Sequence, residues 1–193
     1  KDFFQVRNFL GVAVLSFIFV STGAILLYIS RGSFNLNHLQ MDLSSGATVL
    51  DLIALALLVL GLGSIVGMVP FGLNHLKDYF EEANPLSLKV FNILFMPGIA
   101  IFIFKLIKCF TDTDARIGLV LFIIGGSGLI ISVIRTVMEL FGKFKQQSYS
   151  LKKILGYLSV SDFNILILLF SASIYASAEL KQTTYSAIMM FIL

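Results

Sequence analysis

The sequence consists of long apolar runs separated by short polar segments that hold most of the charged residues. The first run, between Arg7 and Arg31, has 23 residues without a charge. A helix needs about 20 apolar residues to cross a hydrocarbon core roughly 30 Å thick. The further runs extend from just after Asp51 to Pro70, Val90 to Phe104, Ile117 to Ile134, about Ile154 to Ala178, and from near Thr183 to the chain end. The pattern therefore predicts five spanning helices and the start of a sixth.

Helices are favoured over strands because the apolar runs lack the strict alternation of apolar and polar residues that is typical of barrel strands. An open strand in lipid would also leave its backbone hydrogen-bonding groups unsatisfied. No linker-like segment divides the chain. We therefore expect an all-α fold, a polytopic transmembrane bundle that forms a single membrane domain over residues 1–193.

Composition strengthens this interpretation and excludes other classes. Hydrophobic residues make up 58% of the 193 residues and charged residues only 13%, whereas soluble domains have about 25% charged residues. This excludes an ordinary soluble enzyme and a disordered chain. With Cys109 as the single cysteine, the chain can form no internal disulfide, and no Cys/His cluster with zinc-ligand spacing is present. We therefore expect no metal site.

The net charge of +3 is explained better by membrane flanks than by nucleic-acid binding, because the basic residues lie between the apolar runs. Placing the N-terminus on the matrix or cytoplasmic side puts nine basic residues on that side and five on the other. The positive-inside rule favours this orientation. The chain starts at Lys1 and ends in an apolar, uncapped stretch, which suggests a fragment or one part of a split polypeptide.

Two prolines interrupt the apolar runs. Pro70 ends or breaks the second run, and the pair Pro97 and Gly98 breaks the third. Proline removes a helix hydrogen bond and clashes with the preceding turn. Two interpretations remain open at this point: simple packing kinks, or broken helices beside an ion path, as found in transporters.

Asp162 is the strongest candidate for chemistry, because it is an acidic residue in the otherwise apolar fifth run. Ionisable residues inside membrane spans are costly and are usually functional. The alternative is a partly solvated residue near the helix start. The segment from Gly125 to Gly128 superficially resembles a phosphate-binding loop, but it is mid-membrane and no lysine follows it. Close helix packing through small residues is the better interpretation there, and also at Gly61, Gly63 and Gly67.

Several segments together resemble the antiporter-like proton-channel subunits of respiratory complex I, a family that includes Mrp antiporters and membrane hydrogenases. The most specific is Leu151–Ser161, LKKILGYLSVS, which is close to the family's LKRLLAYSSIS. The other segments run from Val6 to Leu36, from Gly67 to Phe71, and from Asn84 to Ser87. Their order and spacing agree over nearly the whole chain, and Gln182–Met190 looks more like subunit 2 than subunits 4 or 5.

The resemblance implies a membrane-arm subunit, the middle part of a larger antiporter-like fold, in NADH:ubiquinone oxidoreductase. Such a subunit contributes to proton translocation coupled to quinone reduction elsewhere and carries no redox chemistry or cofactor itself. The implied location is the mitochondrial inner membrane or, alternatively, a prokaryotic plasma membrane. The implied partners are a subunit 4-like protein, small membrane subunits and lipids such as cardiolipin, which the lysines between Lys143 and Lys153 could contact. No nucleic-acid partner is expected.

The chain departs from the family where proton-carrying lysines are expected. Those lysines align with Ile65 and Pro97, and neither residue is ionisable. The resemblance therefore implies a degenerate half-channel, or one that uses another group. Asp162 aligns with a family His or Gln on the central axis and is the leading substitute. Lys153 and Tyr157 match the family pattern residue by residue and are the other proton-path candidates.

Three functions remain as alternatives. The chain contributes to proton translocation, or it is a purely structural membrane-arm subunit, or it belongs to an Mrp-type antiporter or membrane-bound hydrogenase. The missing lysines favour the structural role for this segment. A stand-alone transporter is disfavoured, because about five and a half spans do not make a closed transporter.

Overall fold

In a computed structural model, the chain folds into α-helices throughout its described part. The structure describes residues 2–33, 35, 38–39, 46–66, 68, 96–110, 115–142, 151–175, 183 and 186. For residues 2–9, 115, 142 and 151–153 it describes the backbone only. The five helices are α1 (Asp2–Arg31), α2 (Val49–Ile65), α3 (Met96–Phe110), α4 (Ala115–Gly142) and α5 (Leu151–Tyr175). The predicted all-α transmembrane class is confirmed.

Three of these helices contain segments long and apolar enough to cross a membrane. They are Leu10–Arg31, Arg116–Phe141 and Ile154–Tyr175, of 22, 26 and 22 residues. At 1.5 Å per residue each is about 33 Å or longer, which matches the hydrocarbon core. The protein is therefore a multi-pass membrane protein. Helix α2 is apolar but shorter, with 17 residues, and the predicted sixth run lies largely outside the described residues.

The ends of α1 and α2 follow from local sequence. Gly32 has a φ of +69°, and its N–H donates to the carbonyl of Tyr28 at 2.7 Å, which closes α1. Helix α2 begins with a capping box, in which the Thr48 side chain accepts from the Asp51 N–H and the Asp51 side chain accepts from the Thr48 N–H. The end of α1 and the start of α2 therefore lie at the same end of the α1–α2 pair.

Helices α1 and α2 pack against each other in antiparallel directions. The Ser16 hydroxyl donates to the carbonyl of Gly61 at 2.5 Å near one end, while Arg31 contacts Asp51 at the other. Between these points the backbones approach closely, since a Cβ added at Gly23 would lie 2.9 Å from the carbonyl oxygen of Ala54. The predicted close packing at Gly61 is confirmed, because its added Cβ would meet α1.

Helices α4 and α5 form the second antiparallel pair. Helix α3 contacts α2 and α5, and α2 also contacts α4. The buried core lies among these helices, and the rings of Phe104 and Phe170 stack within it with centroids 5.4 Å apart. The fold is thus two helical hairpins joined by contacts through α2, α3 and α5.

The two predicted helix breaks are placed only in part. Pro70 lies outside the described residues. Pro97 and Gly98 are the second and third residues of the described α3. The residues just before Met96 are also outside the described part, so the break in this helix stays a prediction.

Candidate functional site

Arg31 and Asp51 form an ion pair between the end of α1 and the start of α2. The Arg31 Nε lies 3.3 and 3.2 Å from the two carboxylate oxygens, and Nη2 lies 2.5 Å from Oδ2. Ser30 donates to Oδ1 at 2.6 Å, and the Thr48 N–H and hydroxyl both donate to Oδ2 at 2.8 Å. Asp51 is fully buried, while the Arg31 side chain is 10% exposed. This bidentate, fully bonded pair fastens the hairpin at one end.

Asp51 lies just before the apolar run of α2, outside the three candidate spans. Burial alone would raise the pKa of its carboxyl. Hydrogen bonds from Arg31, Ser30 and Thr48 stabilise the charged form more strongly, and they lower the pKa from 3.8 to about 2. The carboxylate therefore stays charged at neutral pH and serves as a structural anchor.

A row of polar contacts joins α4 to α5, and we call it the polar seam. The hydroxyls of Ser132 and Ser161 lie 2.9 Å apart, and Ser171 donates to the carbonyl of Gly118 at 2.8 Å. Both serines of α5 and Ser132 are buried. Hydrogen bonds between membrane helices contribute about 0.6 kcal/mol each on average. The polar seam therefore sets the register of the pair more than it stabilises it.

Glycines bring the two helices together beside these hydroxyls. A Cβ added at Gly125 would lie 3.1 Å from the backbone oxygen of Asn164 and from Cγ2 of Ile167, whereas one at Gly126 would find its nearest atom at 4.0 Å. A Cβ at Gly128 would overlap the side-chain oxygen of Asn164. The close packing predicted for this segment is confirmed at Gly125 and Gly128. At Gly63 the added Cβ would instead meet Met68 just beyond α2, and Gly67 lies outside the described residues.

Asn164 is a fully buried polar side chain of α5 beside the polar seam. It is 0% exposed, and its amide donates to the carbonyl of Val160 at 2.8 Å. Its Oδ1 accepts no conventional hydrogen bond. Because an added Cβ at Gly128 would overlap Oδ1, one Hα of Gly128 points at this oxygen. A Cα–H···O contact, a recurrent weak interaction between packed helices, therefore occupies the acceptor.

Asp162 lies on the outside of the helix pair. Within the described part of the chain it is exposed and has no hydrogen-bond or ion-pair partner. It follows Ile154 by eight residues, about 12 Å along the axis of the candidate span. This depth argues against a solvated position at the helix start. A charged aspartate at a span centre costs about 2.5–3.5 kcal/mol on insertion scales, so the position calls for a function.

The other two proton-path candidates lie on a different side of α5. Tyr157 is 4% exposed and faces the bundle. It precedes Asp162 by five residues, which corresponds to about 140° around the helix. Lys153 belongs to the first turn of α5 and precedes Asp162 by nine residues, about half a turn away in angle. The structure therefore does not bring these three residues together on one face.

The two positions that align with family lysines are also placed. Ile65 is the last residue of α2 and is partly buried, and Pro97 is the second residue of the described α3. Neither side chain can carry a proton. Among the described residues, no group of three or more His, Cys, Asp or Glu side chains could hold a metal ion.

Sequence reasoning did not single out the Arg31–Asp51 pair or the contacts of Asn164 with Gly128. The Thr48-x-x-Asp51 spacing is a capping-box signal and could have located the start of α2. The pairing of Asp51 with Arg31 depends on the register of the hairpin, which no local pattern shows.

Comparison with known proteins gives no assignment. No family model, no curated protein and no solved structure matches this chain significantly. A functional proposal therefore depends on the residues and their placement.

Proposed function

We propose that the chain is a membrane-arm subunit of a complex I-like assembly, subunit 2-like, that contributes to proton translocation coupled to quinone reduction. The multi-pass helical fold supports a membrane arm, and the motif order described above supports this family. The observation that carries the proposal is Asp162, an ionisable side chain exposed about 12 Å inside a membrane span. It comes directly after the segment Leu151–Ser161 with the most specific resemblance.

In this proposal Asp162 takes and releases the proton. A carboxyl group surrounded by apolar side chains can be switched between its neutral and charged forms by a nearby charge, because lipid disfavours the charged form and an opposite charge favours it. Asp162 takes over the role of the family lysines, which are absent at Ile65 and Pro97. Tyr157 and Lys153, on another face of α5, support the helix rather than relay this proton.

The rest of the assembly supplies the redox chemistry. The chain acts as part of an NADH:ubiquinone oxidoreductase and holds no cofactor of its own. Its proposed neighbours are subunit 4-like and small membrane subunits, with cardiolipin at the lysine-rich loop. The proposed location is the mitochondrial inner membrane, with a prokaryotic plasma membrane as the alternative.

A purely structural membrane-arm role is the second candidate, and the non-ionisable Ile65 and Pro97 favour it. A subunit of an Mrp-type antiporter or membrane-bound hydrogenase has the same fold class. Proton translocation with NADH as the electron donor separates the first function from the antiporter and the hydrogenase. The dependence of that translocation on Asp162 separates it from the structural role.

The test is Asp162→Asn in the assembled complex, measured in sealed membrane vesicles as protons translocated per NADH oxidised. Asparagine keeps the size of the side chain but cannot carry a proton. At equal content of assembled complex we expect fewer protons per NADH, and Asp162→Glu as the matched control should restore translocation. Normal translocation by Asp162→Asn would support the structural role, and cation exchange without NADH oxidation would support the antiporter.

A further inference from the structure

Helix α5 has an outward stripe that the described residues of the chain cover only in part, at Ile165 and Leu169, which are half-buried. Its members recur at spacings of three and four residues, the pattern of a helix-packing face. They are Leu155, Leu158, Asp162, Ile165, Leu169 and Ala172. Leu155 and Leu158 are 54% and 45% exposed, and Asp162 and Ala172 are exposed as well. We call this set the outer stripe.

The outer stripe is separate from the contacts that α5 makes within the chain. Ser161, Asn164 and Ser171 face α4, and each lies one residue, about 100° in angle, from a member of the outer stripe. Phe170 stacks on Phe104 of α3. The outer stripe is therefore a third side of α5, and four of its six residues, Leu155, Leu158, Asp162 and Ala172, stay exposed after α3 and α4 have packed.

The other outward faces of the spans differ from it in chemistry. On α1 the exposed large residues of the span are apolar, as with Phe17 and Ile25, and on α4 they include Phe122 and Ile130. Such faces suit lipid. The exposed Arg135 of α4 lies only six residues from the end of its span, where a long basic side chain can reach the interface. The outer stripe instead holds a carboxylate midway along an apolar seam, and lipid offers that carboxylate no partner.

We propose that the outer stripe binds a transmembrane helix of another polypeptide, which presents a lysine or arginine side chain opposite Asp162. Charge complementarity selects this occupant, because a cation at the same depth satisfies the carboxylate while apolar side chains pack around it. A second copy of the chain in a two-fold pair would place two Asp162 carboxylates together, which is unfavourable. The proposal holds whether or not the assembly is complex I-like.

Site-specific photo-cross-linking in the native membrane tests this surface. A benzophenone amino acid is placed at Leu158 or Ile165 in the outer stripe, and at Phe122 or Ile130 of α4 as the matched exposed controls. We expect the α5 positions to give an adduct with one other polypeptide, whose cross-linked helix has Lys or Arg within one turn of the site. The α4 positions should give mainly lipid adducts.

Several outcomes of this experiment overturn the proposal. They are adducts of the α5 positions with lipid only, an adduct of twice the mass of the chain that identifies a second copy, and a cross-linked helix without a basic residue. A cross-link within the chain itself also overturns it, because a covering segment of this chain would then occupy the outer stripe.

Charge variants test the role of Asp162 in the same assay. Asp162→Asn is expected to lower the adduct yield about tenfold at equal protein level, which corresponds to about 1.4 kcal/mol. Asp162→Lys should abolish the adduct, and exchanging the partner's basic residue for aspartate should restore it. An unchanged yield in Asp162→Asn contradicts the proposal, and this mild variant remains informative if Asp162→Lys fails to fold.

The two proposals fail separately. An adduct with a basic helix from a protein outside any NADH:quinone oxidoreductase supports the docking surface and contradicts the proposed function. If the chain belongs to such a complex but the outer stripe gives only lipid adducts, the proposed function is supported and the docking surface is contradicted.

Discussion

Arg31 and Asp51 meet where α1 leaves the apolar layer and α2 enters it. Each carboxylate oxygen of Asp51 accepts bonds from at least two donors. A buried ion pair with this degree of bonding adds little when intact, because desolvation offsets the attraction, but breaking it leaves an isolated buried charge. Any other alignment of α1 against α2 would leave the Asp51 carboxylate buried without its partner, so the pair favours the observed alignment.

Arg31→Gln is expected to destabilise the protein by about 3 kcal/mol, because Asp51 would remain buried and charged without its partner. The measurement is the free energy of unfolding in detergent micelles. Lys105→Gln, on the exposed surface of α3 and outside the three candidate spans, is the matched control and should change stability by less than about 0.5 kcal/mol. In the double variant Arg31→Gln, Asp51→Asn, part of the loss should be recovered, and strictly additive losses would contradict the pairing.

The same carboxylate sets a pH dependence at acidic pH. Its pKa is lower in the folded protein, about 2 against 3.8, so its contribution is present above pH 4 and is lost as the pH falls towards 2. The loss is about 2 kcal/mol. Because other carboxyls also titrate there, the comparison is the change in unfolding free energy between pH 5 and pH 2 for wild type and Asp51→Asn. A loss of equal size in both proteins would show that Asp51 is not responsible.

At the scale of the element, small residues decide how closely the helix pairs approach. Gly23 lets α1 reach the backbone of α2, and Gly125 and Gly128 do the same for α4 and α5. Close approach gives membrane helices dispersion contacts that the hydrophobic effect does not supply in lipid. The hydroxyls of the polar seam then select one alignment among the closely packed ones.

Gly23→Ala is expected to destabilise the α1–α2 pair by about 1–3 kcal/mol, because the new methyl group would lie 2.9 Å from the Ala54 carbonyl oxygen. Gly11→Ala is the matched control on the same helix, since nothing lies within 4 Å of its added Cβ. The control should not lose stability, because alanine favours helix over glycine. Equal effects of the two variants in an unfolding titration would contradict the close approach at Gly23.

The helices were predictable because their signals are local. Apolar runs bounded by charges located the three long spans, and the glycines of α4 indicated close packing. The position of Asp162 relative to Tyr157 could also be predicted, since a spacing of five residues places them on different sides of a helix. The exposure of Asp162 and the partner of Asp51 could not be predicted from the sequence, because both depend on which helices pack together.

At the scale of the whole molecule, the described helices form two hairpins with apolar outer faces and one outward carboxylate. The buried polar groups of the hairpins are largely satisfied within the chain, by the Arg31–Asp51 pair and the polar seam. Asp162 differs from these groups, since it is exposed within its span and has no hydrogen-bond or ion-pair partner among the described residues. This contrast supports the proposal that the chain belongs to a larger membrane assembly in which Asp162 has a partner.

The most direct test of the central claim is the identity of the polypeptides that copurify with the chain from native membranes in mild detergent, determined by mass spectrometry. A membrane-arm subunit should copurify in constant ratio with the other subunits of an NADH:quinone oxidoreductase, and the purified fraction should oxidise NADH with a quinone acceptor. Isolation of the chain alone, or with partners that have no NADH:quinone oxidoreductase activity, would contradict the account.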